Sequence, residues 1–433
     1  MTAEAATAAE PTELDDTKPL RKNRDFTLLW GGQTVSQLGT AVSVLAFPLL
    51  VLALNGSAVQ AGALGTLQAV IRVTFQLPAG AFADRWNRKR VMQVCDAGRA
   101  VLFAALATAI LLDSAPLAVI FAVAGAAAVL DVLFGAAETS IVSQLVPRSQ
   151  LPEAFASNEA RSYGASLAGP PLGGFLYAFG RSVPFLFDAL SYLLSFLAVS
   201  FIRRPADPKG EQEKGEGAAK KASLRHDMLE GLRHVVASPF LRAVILMAAP
   251  VNFALTGAQF ASVLTLTESG HSPRALGIAQ GCIAIGGLLG ALFAARIQRL
   301  LPFHRLLLTA LTALVVLLAA STVLNGSLAM VAPLATGLFL APAVNSILFG
   351  RIAATTPAHI QGRVISVVAL SATAAASLAP IVVGAVVEHR GGTAAMTAVL
   401  AAAVLSLVAA TLTRRTLRES APAQTPPPIC RSV

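Results

Sequence analysis

The chain has 433 residues, of which 55% are hydrophobic and only 13% are charged, and its formal net charge is +10. This composition is far too apolar for a soluble protein of this length, and it excludes an ordinary soluble enzyme or nucleic-acid-binding domain. We therefore expect most of the chain to lie within a lipid bilayer, where each crossing needs about 20 apolar helical residues.

Twelve continuous apolar segments follow one another along the chain. They predict membrane-spanning helices near residues 26–54, 58–83, 91–112, 116–142, 157–180, 183–202, 239–267, 273–297, 304–324, 328–351, 362–388 and 392–413. Their Ala, Leu, Val and Gly runs do not alternate with polar residues as the strands of a membrane β-barrel do. The predicted fold class is an all-α membrane protein with twelve transmembrane helices in two pseudo-symmetric six-helix bundles.

Polar segments flank and divide these spans. We expect a disordered cytoplasmic tail over 1–20, an N-terminal six-helix bundle over 21–203, a cytoplasmic linker over 204–238, a C-terminal six-helix bundle over 239–415 and a second disordered cytoplasmic tail over 416–433. Within the linker, Leu224, Met228, Leu232 and Val235 recur at helical spacing. This spacing favours an amphipathic helix on the membrane surface over a solvated linker.

The basic residues predict which way the protein crosses the membrane. Among the 33 Lys and Arg, only Arg181, Arg274 and Arg390 lie in loops after odd-numbered spans, and Arg72 and Arg99 lie inside spans. The remainder lie at the termini or in and beside the loops after even-numbered spans. Because basic loops stay in the cytoplasm, we expect a multi-pass protein of the inner membrane with both termini cytoplasmic. The charge is explained by topology, so we expect no nucleic-acid partner.

The turn between the second and third spans concentrates charge. Residues 80–90 have the sequence GAFADRWNRKR, with one acid and four basic residues between two apolar runs, and a degenerate copy, ARIQR, occupies residues 295–299 after the eighth span. The turn resembles the loop signature of the major facilitator superfamily. Residues 169–174 (GPPLGG) in the fifth span resemble the antiporter motif that marks exporters within it. Residues 24–413 also resemble the macrolide-efflux and enterobactin-exporter-like branch of that superfamily.

The resemblance assigns a gating role to this turn. The residues concerned are Gly80, Asp84, Arg85, Arg88, Arg90, Gly362 and Arg363. It implies that Asp84 docks against the start of span 11 when the transporter faces outward. A carboxylate at an exposed helix N-terminus is stabilised by about 0.3–1 kcal/mol, so this contact would act as a latch on one of two states. The basic residues can alternatively serve only to hold the loop in the cytoplasm.

The fifth span carries the exporter motif. Its four motif residues are Gly169, Pro170, Gly173 and Gly174. Small residues let membrane helices approach closely, and a proline removes a backbone hydrogen bond and permits a bend. The resemblance implies that spans 5 and 8 face each other across the two halves, and span 8 is also rich in glycine. We therefore expect a thin, bendable seam there, with ordinary glycine-rich packing as the alternative.

Charged and amide side chains within spans are candidates for function because the membrane interior disfavours them. The candidates for proton coupling or substrate binding are Arg72, Asp96, Arg99, Asp131 and Glu138. Asp96 and Arg99 lie three residues apart on one helical face and can form an internal pair. Candidates for lining a substrate cavity are Gln33, Gln37, Asn252 and Asn345, although each can simply bridge helices. Asp188, near the start of span 6, is expected close to the outer face.

Two departures from the family pattern bear on proton coupling. Span 4 lacks the deep arginine of many proton antiporters, and Thr40 stands where some relatives carry an acid. Asp131 or Glu138 would then have to exchange the proton, as buried carboxylates can near neutral pH. We expect a secondary transporter that exports small amphipathic molecules, such as drugs, secondary metabolites or siderophores, by alternating access in exchange for protons. A proton-coupled importer and a non-transporting sensor or scaffold on the same fold are the alternatives.

No feature of the sequence points to a cofactor, a metal or enzymatic chemistry. The three cysteines have no metal-ligand or redox spacing. Residues 210–215 have the glycine spacing of a nucleotide-binding loop, but Glu216 stands where lysine is required. The expected partners are therefore a small-molecule substrate, the proton and the lipid bilayer, and we expect a monomer.

Overall fold

The computed structural model describes residues 19–203, 232–357 and 360–419, and this part of the chain is helical without strands. Ten helical segments are long and apolar enough to cross a membrane. Two more, of 28 and 29 residues, match them in length but fall short of the same apolar criterion. The described chain is thus an all-α membrane protein, with long helical segments at the positions of all twelve predicted spans.

The twelve segments follow one another with short connections. They are α1 Arg24–Asn55, α2 Ala58–Arg85, α3 Arg88–Leu111, α4 Leu117–Leu145, α5 Leu151–Phe179, α6 Val183–Ser200, α7 Pro239–Glu268, α8 Pro273–Leu300, α9 Phe303–Val323, α10 Leu328–Thr355, α11 Gln361–Arg390 and α12 Gly392–Leu412. Helix α10 is interrupted between Leu338 and Ala341, and α11 is interrupted at Leu378. Helix α5 begins at Leu151 and not at 157 as predicted. The apolar pattern starts later than the helix because the first turns of α5 are polar.

Local capping explains the tight turns between the helices. Ser57 and Asn87 accept hydrogen bonds from backbone N–H groups in the first turns of α2 and α3, at 3.2 and 3.1 Å, which satisfies groups that a helix start leaves unpaired. Gly56 ends α1 with φ +67°, a conformation that favours glycine. The helices therefore alternate in direction. We call the end that holds Leu20 and Arg414 the terminal end, and the end that holds Gly56 and Gly391 the distal end.

The buried apolar residues show where the two halves, α1–α6 and α7–α12, share a core. One cluster includes Phe47 and Phe185 of the first half together with Leu264 and Met396 of the second. Toward the terminal end each half has its own cluster instead, one around Met92 and the other around Phe303. The halves therefore pack against each other at mid-height and at the distal end, while toward the terminal end each half buries its own core.

Several predictions concern residues outside the described part of the chain. These are the two tails apart from residues 19–20 and 416–419, the linker up to residue 231 and the side chains of Asp84 and Arg85. The last residues of the predicted surface helix are described, and residues 232–237 are helical. Val235 is buried with Phe240 in the core of the second half, whereas Leu232 is exposed. The division of the chain at 204–238 stays a prediction.

Candidate substrate cavity and buried charge network

A cavity lies between the two halves. Its three adjoining lobes have volumes of about 480, 520 and 470 Å³, within the range of small-molecule sites. Gln259 and Leu338 line two of these lobes, and Val44 and Arg72 connect the first lobe with the third. The space is therefore continuous, with walls supplied by both halves.

Arg99 on α3 is the centre of a charged cluster beside this cavity. Its guanidinium donates to Asp96 Oδ1 at 2.7 Å and to Asp131 Oδ1 at 3.3 Å. The first of these bonds is the internal pair that the spacing of Asp96 and Arg99 predicts. Arg72 on α2 approaches the other carboxylate oxygen of Asp131 at 3.5 Å. The side chains of Arg72 and Asp131 are 44% and 37% exposed, so this outer part of the cluster faces the cavity.

Aromatic rings and hydroxyl groups surround the inner part of the cluster. The guanidinium carbon of Arg99 lies 4.3 Å from the ring centroid of Tyr192 and 4.8 Å from that of Phe134. Ser195 on α6 donates to the second oxygen of Asp96 at 2.6 Å, and Gln33 on α1 donates to Ser195 at 2.7 Å. Gln33 is 2% exposed, so it bridges α1 and α6 more than it lines the cavity.

A second ion pair joins α4 to α5. Arg161 donates to Glu138 at 2.6 Å and to the side-chain oxygen of Gln37 on α1 at 3.2 Å. The arginine and glutamate side chains are only 2% and 12% exposed. Arg161 lies near the start of the predicted span, where it resembles a cytoplasmic basic residue, so the sequence alone gives no sign that it is buried. Because α5 begins earlier than predicted, Arg161 lies inside the bundle. Its positive charge pairs with Glu138, which explains why this carboxylate can be buried.

The wall supplied by the second half carries no charge among its described lining residues. Its polar groups are amides such as Gln259, Gln280 and Asn345. A side pocket of about 90 Å³ extends into this half, with Asn252, Asn345 and Ser406 among mostly aliphatic neighbours. Asn345 also lines the main cavity. Of the predicted cavity residues, Asn252 and Asn345 are therefore on the uncharged wall, and Gln33 and Gln37 are on the charged one.

Asp188 is not close to the outer face, contrary to the expectation from its position early in span 6. It is fully buried, accepts a hydrogen bond from Ser43 on α1 at 2.6 Å, and borders a small pocket shared with Arg72 and Asp131. The reason is that α6 is shorter than α1 and meets it at Ser43, twelve residues before the distal end of α1 at Asn55; the two helices pack closely at this level. A Cβ on Gly39 would lie only 2.5 Å from Asp188 Oδ1, so glycine at position 39 makes room for the carboxylate.

The fifth-span motif packs against two different helices. Gly169 and Gly173 face α1, where a Cβ on Gly173 would lie 2.8 Å from the carbonyl oxygen of Val42. Gly174 faces α8, where an added Cβ would overlap the carbonyl oxygen of Pro273 and lie 3.0 Å from Gly277. Pro170 also contacts this seam, because its carbonyl oxygen would lie 2.5 Å from a Cβ on Gly277. The α5–α8 contact expected from the resemblance is therefore present, at the distal end.

A second contact between the halves joins α2 to α11 at the distal end. A Cβ on Gly62 would overlap the carbonyl oxygen of Pro380. Glu388 on α11 accepts hydrogen bonds from Ser57 Oγ at 2.7 Å and from the backbone N–H of Val59 at 2.8 Å. A carboxylate of one half thus caps the α2 N-terminus of the other half, where the helix dipole favours negative charge.

The charged turn lies at the terminal end. Arg88 begins α3, and Arg90 donates its backbone N–H to the Asn87 cap. Lys89 donates to the carbonyl oxygens of Ser200 and Ile202 at 3.0 and 2.6 Å, so it holds the end of α6. A Cβ on Gly80 or on Gly362 would meet no described atom within 4 Å. In this conformation, the α2 and α11 ends are therefore not packed tightly at these two glycines.

Comparisons with known proteins agree with this architecture. The family model of the Major Facilitator Superfamily matches residues 29–350. The multidrug efflux pump Tap of Mycolicibacterium fortuitum is 30% identical over 374 residues, which cover 82% of this chain and 87% of that protein. The crystal structure of a bacterial homologue of the human lysosomal transporter Spinster, inward-facing and unoccupied, aligns with a TM-score of 0.69 at 16% identity, covering 93% of this chain and 99% of the other.

A second solved structure has the same fold. A bacterial homologue of the iron transporter ferroportin in an inward-facing state aligns with a TM-score of 0.68 at 14% identity, covering 92% of this chain and 98% of the other. At such low identity the two structures support the fold alone. Together with the family match and the efflux-pump relative, they show that this chain belongs to the major facilitator superfamily, whose members are membrane transporters and not enzymes.

Proposed function

We propose that this protein exports small amphipathic molecules across the cytoplasmic membrane by alternating access, in exchange for protons. The observation that carries this proposal is the cavity between the halves. Its first wall presents Arg72, Asp131 and Glu138, and its second wall is apolar with scattered amides. A molecule with a charged end and an apolar body can satisfy both walls at once.

The two walls also indicate which chemical groups the substrate carries. On the charged wall, the carboxylates of Asp131 and Glu138 line the cavity, where they can attract a cationic group. On the other wall, the side pocket of about 90 Å³ beside Asn252 accommodates a short aliphatic or edge-on ring group. The few polar groups there fix orientation, as in most small-molecule sites. Drugs and secondary metabolites that carry an amine on an apolar skeleton fit this description.

Alternating access is supported by where the halves touch. The close glycine contacts between the halves, α5 with α8 and α2 with α11, lie at the distal end. Toward the terminal end, Tyr163 of one half and Phe349 of the other both line the cavity. Rocking of one half against the other would break the distal contacts and bring the terminal ends together, as in other two-repeat transporters.

Asp84 is the proposed latch of the alternative state. Docking of its carboxylate at the start of α11, near Gly362 and Arg363, would stabilise that state by about 0.3–1 kcal/mol or more if partly buried. A Cβ on Gly80 or Gly362 would meet no atom of the described residues within 4 Å, which leaves room for such an approach at both helix ends. The distal Glu388–Ser57 contact would hold the conformation with which the Asp84 contact competes.

Orientation and direction rest on charge and on the efflux relative. Because basic loops stay in the cytoplasm, we place the terminal end, and with it both termini, inside the cell. The cavity would then accept substrate from the cytoplasm or inner leaflet, which suits export. The 30% identity to a multidrug efflux pump supports the same direction. We further propose that a single chain suffices, because one chain encloses the whole cavity.

Ethidium retention by cells tests the proposal. This planar cation fluoresces on binding nucleic acid inside the cell, so export lowers the signal. We expect cells that produce the protein to retain less ethidium than cells that produce the Asp131→Asn variant at equal abundance, and a protonophore to abolish the difference. Higher retention with the native protein would indicate import instead. Equal retention for ethidium and for a panel of other amphipathic cations would refute transport of this substrate class.

A further inference from the structure

The carboxylates of the first half differ in their ionic partners. Asp96 and Asp131 each lie within 4 Å of an arginine, and Glu138 pairs with Arg161. Asp188 has no such ion pair with any residue that the structure describes, although it is fully buried. An isolated buried charge is costly, whereas a protonated carboxyl group needs only hydrogen bonds. Asp188 is therefore a fully buried acid whose surroundings suit a neutral, proton-bearing side chain.

The hydrogen bonds around Asp188 support this assignment. Ser191 Oγ lies 2.7 Å from the backbone oxygen of Asp188 and 3.2 Å from its Oδ1. A hydroxyl group has one proton, and the shorter contact takes it. The longer contact can then be a hydrogen bond in which the protonated carboxyl group of Asp188 donates to Ser191 Oγ. Ser43 Oγ at 2.6 Å from Oδ2 completes the set with a group that can donate or accept.

The charged groups that face Asp188 come from three neighbouring helices. Arg99 on α3 packs over the ring of Tyr192, which follows Asp188 by one helical turn. Asp131 on α4 and Arg72 on α2 border the same small pocket. Tyr192, on the helix of Asp188 itself, lies between this pocket and Arg99, with its hydroxyl 2.9 Å from that of Thr40 on α1. Loss of the proton would therefore leave a carboxylate near, but not paired with, the Arg99 cluster.

A route for the proton exists from the substrate cavity. The pocket beside Asp188 has a volume of about 20 Å³, enough for about one water molecule. Arg72 and Val44 line both this pocket and the main cavity. One ordered water there would connect Asp188 with cavity water, while the substrate itself stays outside. Asp188 can thus exchange a proton without direct contact with the substrate.

We propose that Asp188 carries the proton that is exchanged for substrate, a role that rests on the proposed proton-coupled export. In the conformation open at the terminal end, a cationic substrate at Asp131 makes a negative charge at Asp188 favourable. The carboxyl O–H bond breaks and its proton leaves through the pocket water to the cavity. After the halves rock, a proton from the distal side returns to the carboxylate as the substrate departs. The carboxylates that are already paired with arginines serve the substrate and the structure.

Transport by purified protein in liposomes tests this role. Liposomes with an acidic lumen and the terminal face outward are given external ethidium, which is permanently charged and does not distribute with pH by itself. We expect the native protein to accumulate ethidium, and Asp188→Asn to reduce this gradient-driven accumulation at least tenfold while ethidium exchange without a gradient persists. Asp113→Asn, the same change at an exposed acid after α3, is the matched control and should behave as the native protein.

The outcomes separate the two proposals. If the native protein does not respond to the pH gradient, the proposed proton exchange fails, whatever Asp188 does. If the native protein responds and Asp188→Asn responds equally, the role of Asp188 is refuted. If Asp188→Asn does not fold, Ser43→Ala tests the role of Asp188 instead, because it removes the hydrogen bond from Ser43 to the Asp188 carboxylate. We expect it to move the pH of half-maximal transport upward by about one unit, and an unchanged pH profile would overturn the assignment.

Discussion

Gly174 on α5 offers the sharpest test of the distal seam. An alanine there would place its Cβ against the backbone of Pro273 and Gly277 on α8, and backbone atoms cannot move aside as a flexible side chain can. Overpacking of this kind costs about 1–3 kcal/mol. Because the contact exists only while the distal ends are together, the cost falls on that conformation. The balance between conformations should therefore shift roughly 5- to 150-fold toward the state open at the distal end.

Labelling of a cavity cysteine measures this shift. Val44 lines the cavity and is 54% exposed, so Val44→Cys in a cysteine-free background reports access from either face to a membrane-impermeant maleimide. Gly164→Ala is the matched control, because it is on the same helix and its Cβ would meet no described atom within 4 Å. Both changes raise helix propensity by about 1 kcal/mol. If Val44→Cys is labelled equally from the distal face in the Gly174→Ala and Gly164→Ala variants, the α5–α8 contact does not hold the distal ends together.

Three further predictions concern single polar contacts. Arg161→Met leaves Glu138 buried and unpaired, which should cost about 3–5 kcal/mol of stability and lower the melting temperature. The double variant with Glu138→Met should recover most of this stability. Equal melting temperatures for the single and double variants would show that the ion pair does not stabilise the fold. Asp84→Asn should reduce ethidium export with normal abundance, and unchanged export would refute the latch. Glu388→Ala should raise distal labelling of the Val44→Cys reporter roughly 2- to 5-fold through the lost cap, with a smaller effect for Glu388→Gln, and no change would rule out a gating role for this contact.

The positions of the helices could be predicted from the sequence because each crossing leaves a long apolar run. The α5–α8 seam could be expected from the family motif and from the glycine content of α8. The internal pair of Asp96 and Arg99 followed from spacing alone, since residues three apart on a helix share a face. Signals of this kind are local, so they can be recognised in the sequence even when the rotation of each helix about its axis is unknown.

The wider charge network could not be predicted in the same way. Whether Arg72 meets Asp131, or Arg161 meets Glu138, depends on the rotation and relative height of separate helices, which no local pattern encodes. The burial of Arg161 could not be predicted because the first turns of α5 are polar, so the apolar pattern does not show that the helix begins at Leu151. The depth of Asp188 could not be predicted either, because a position early in span 6 indicates the outer face, whereas the short α6 meets the longer α1 at Ser43.

The central claim is that the cavity moves substrate in exchange for protons. Its most direct measurement is ethidium uptake into liposomes that contain the purified protein with the terminal face outward. The account predicts accumulation when the lumen is acidic and loss of accumulation when the pH gradient is collapsed. Uptake that is the same with and without the gradient, or that is absent with it, would contradict the account.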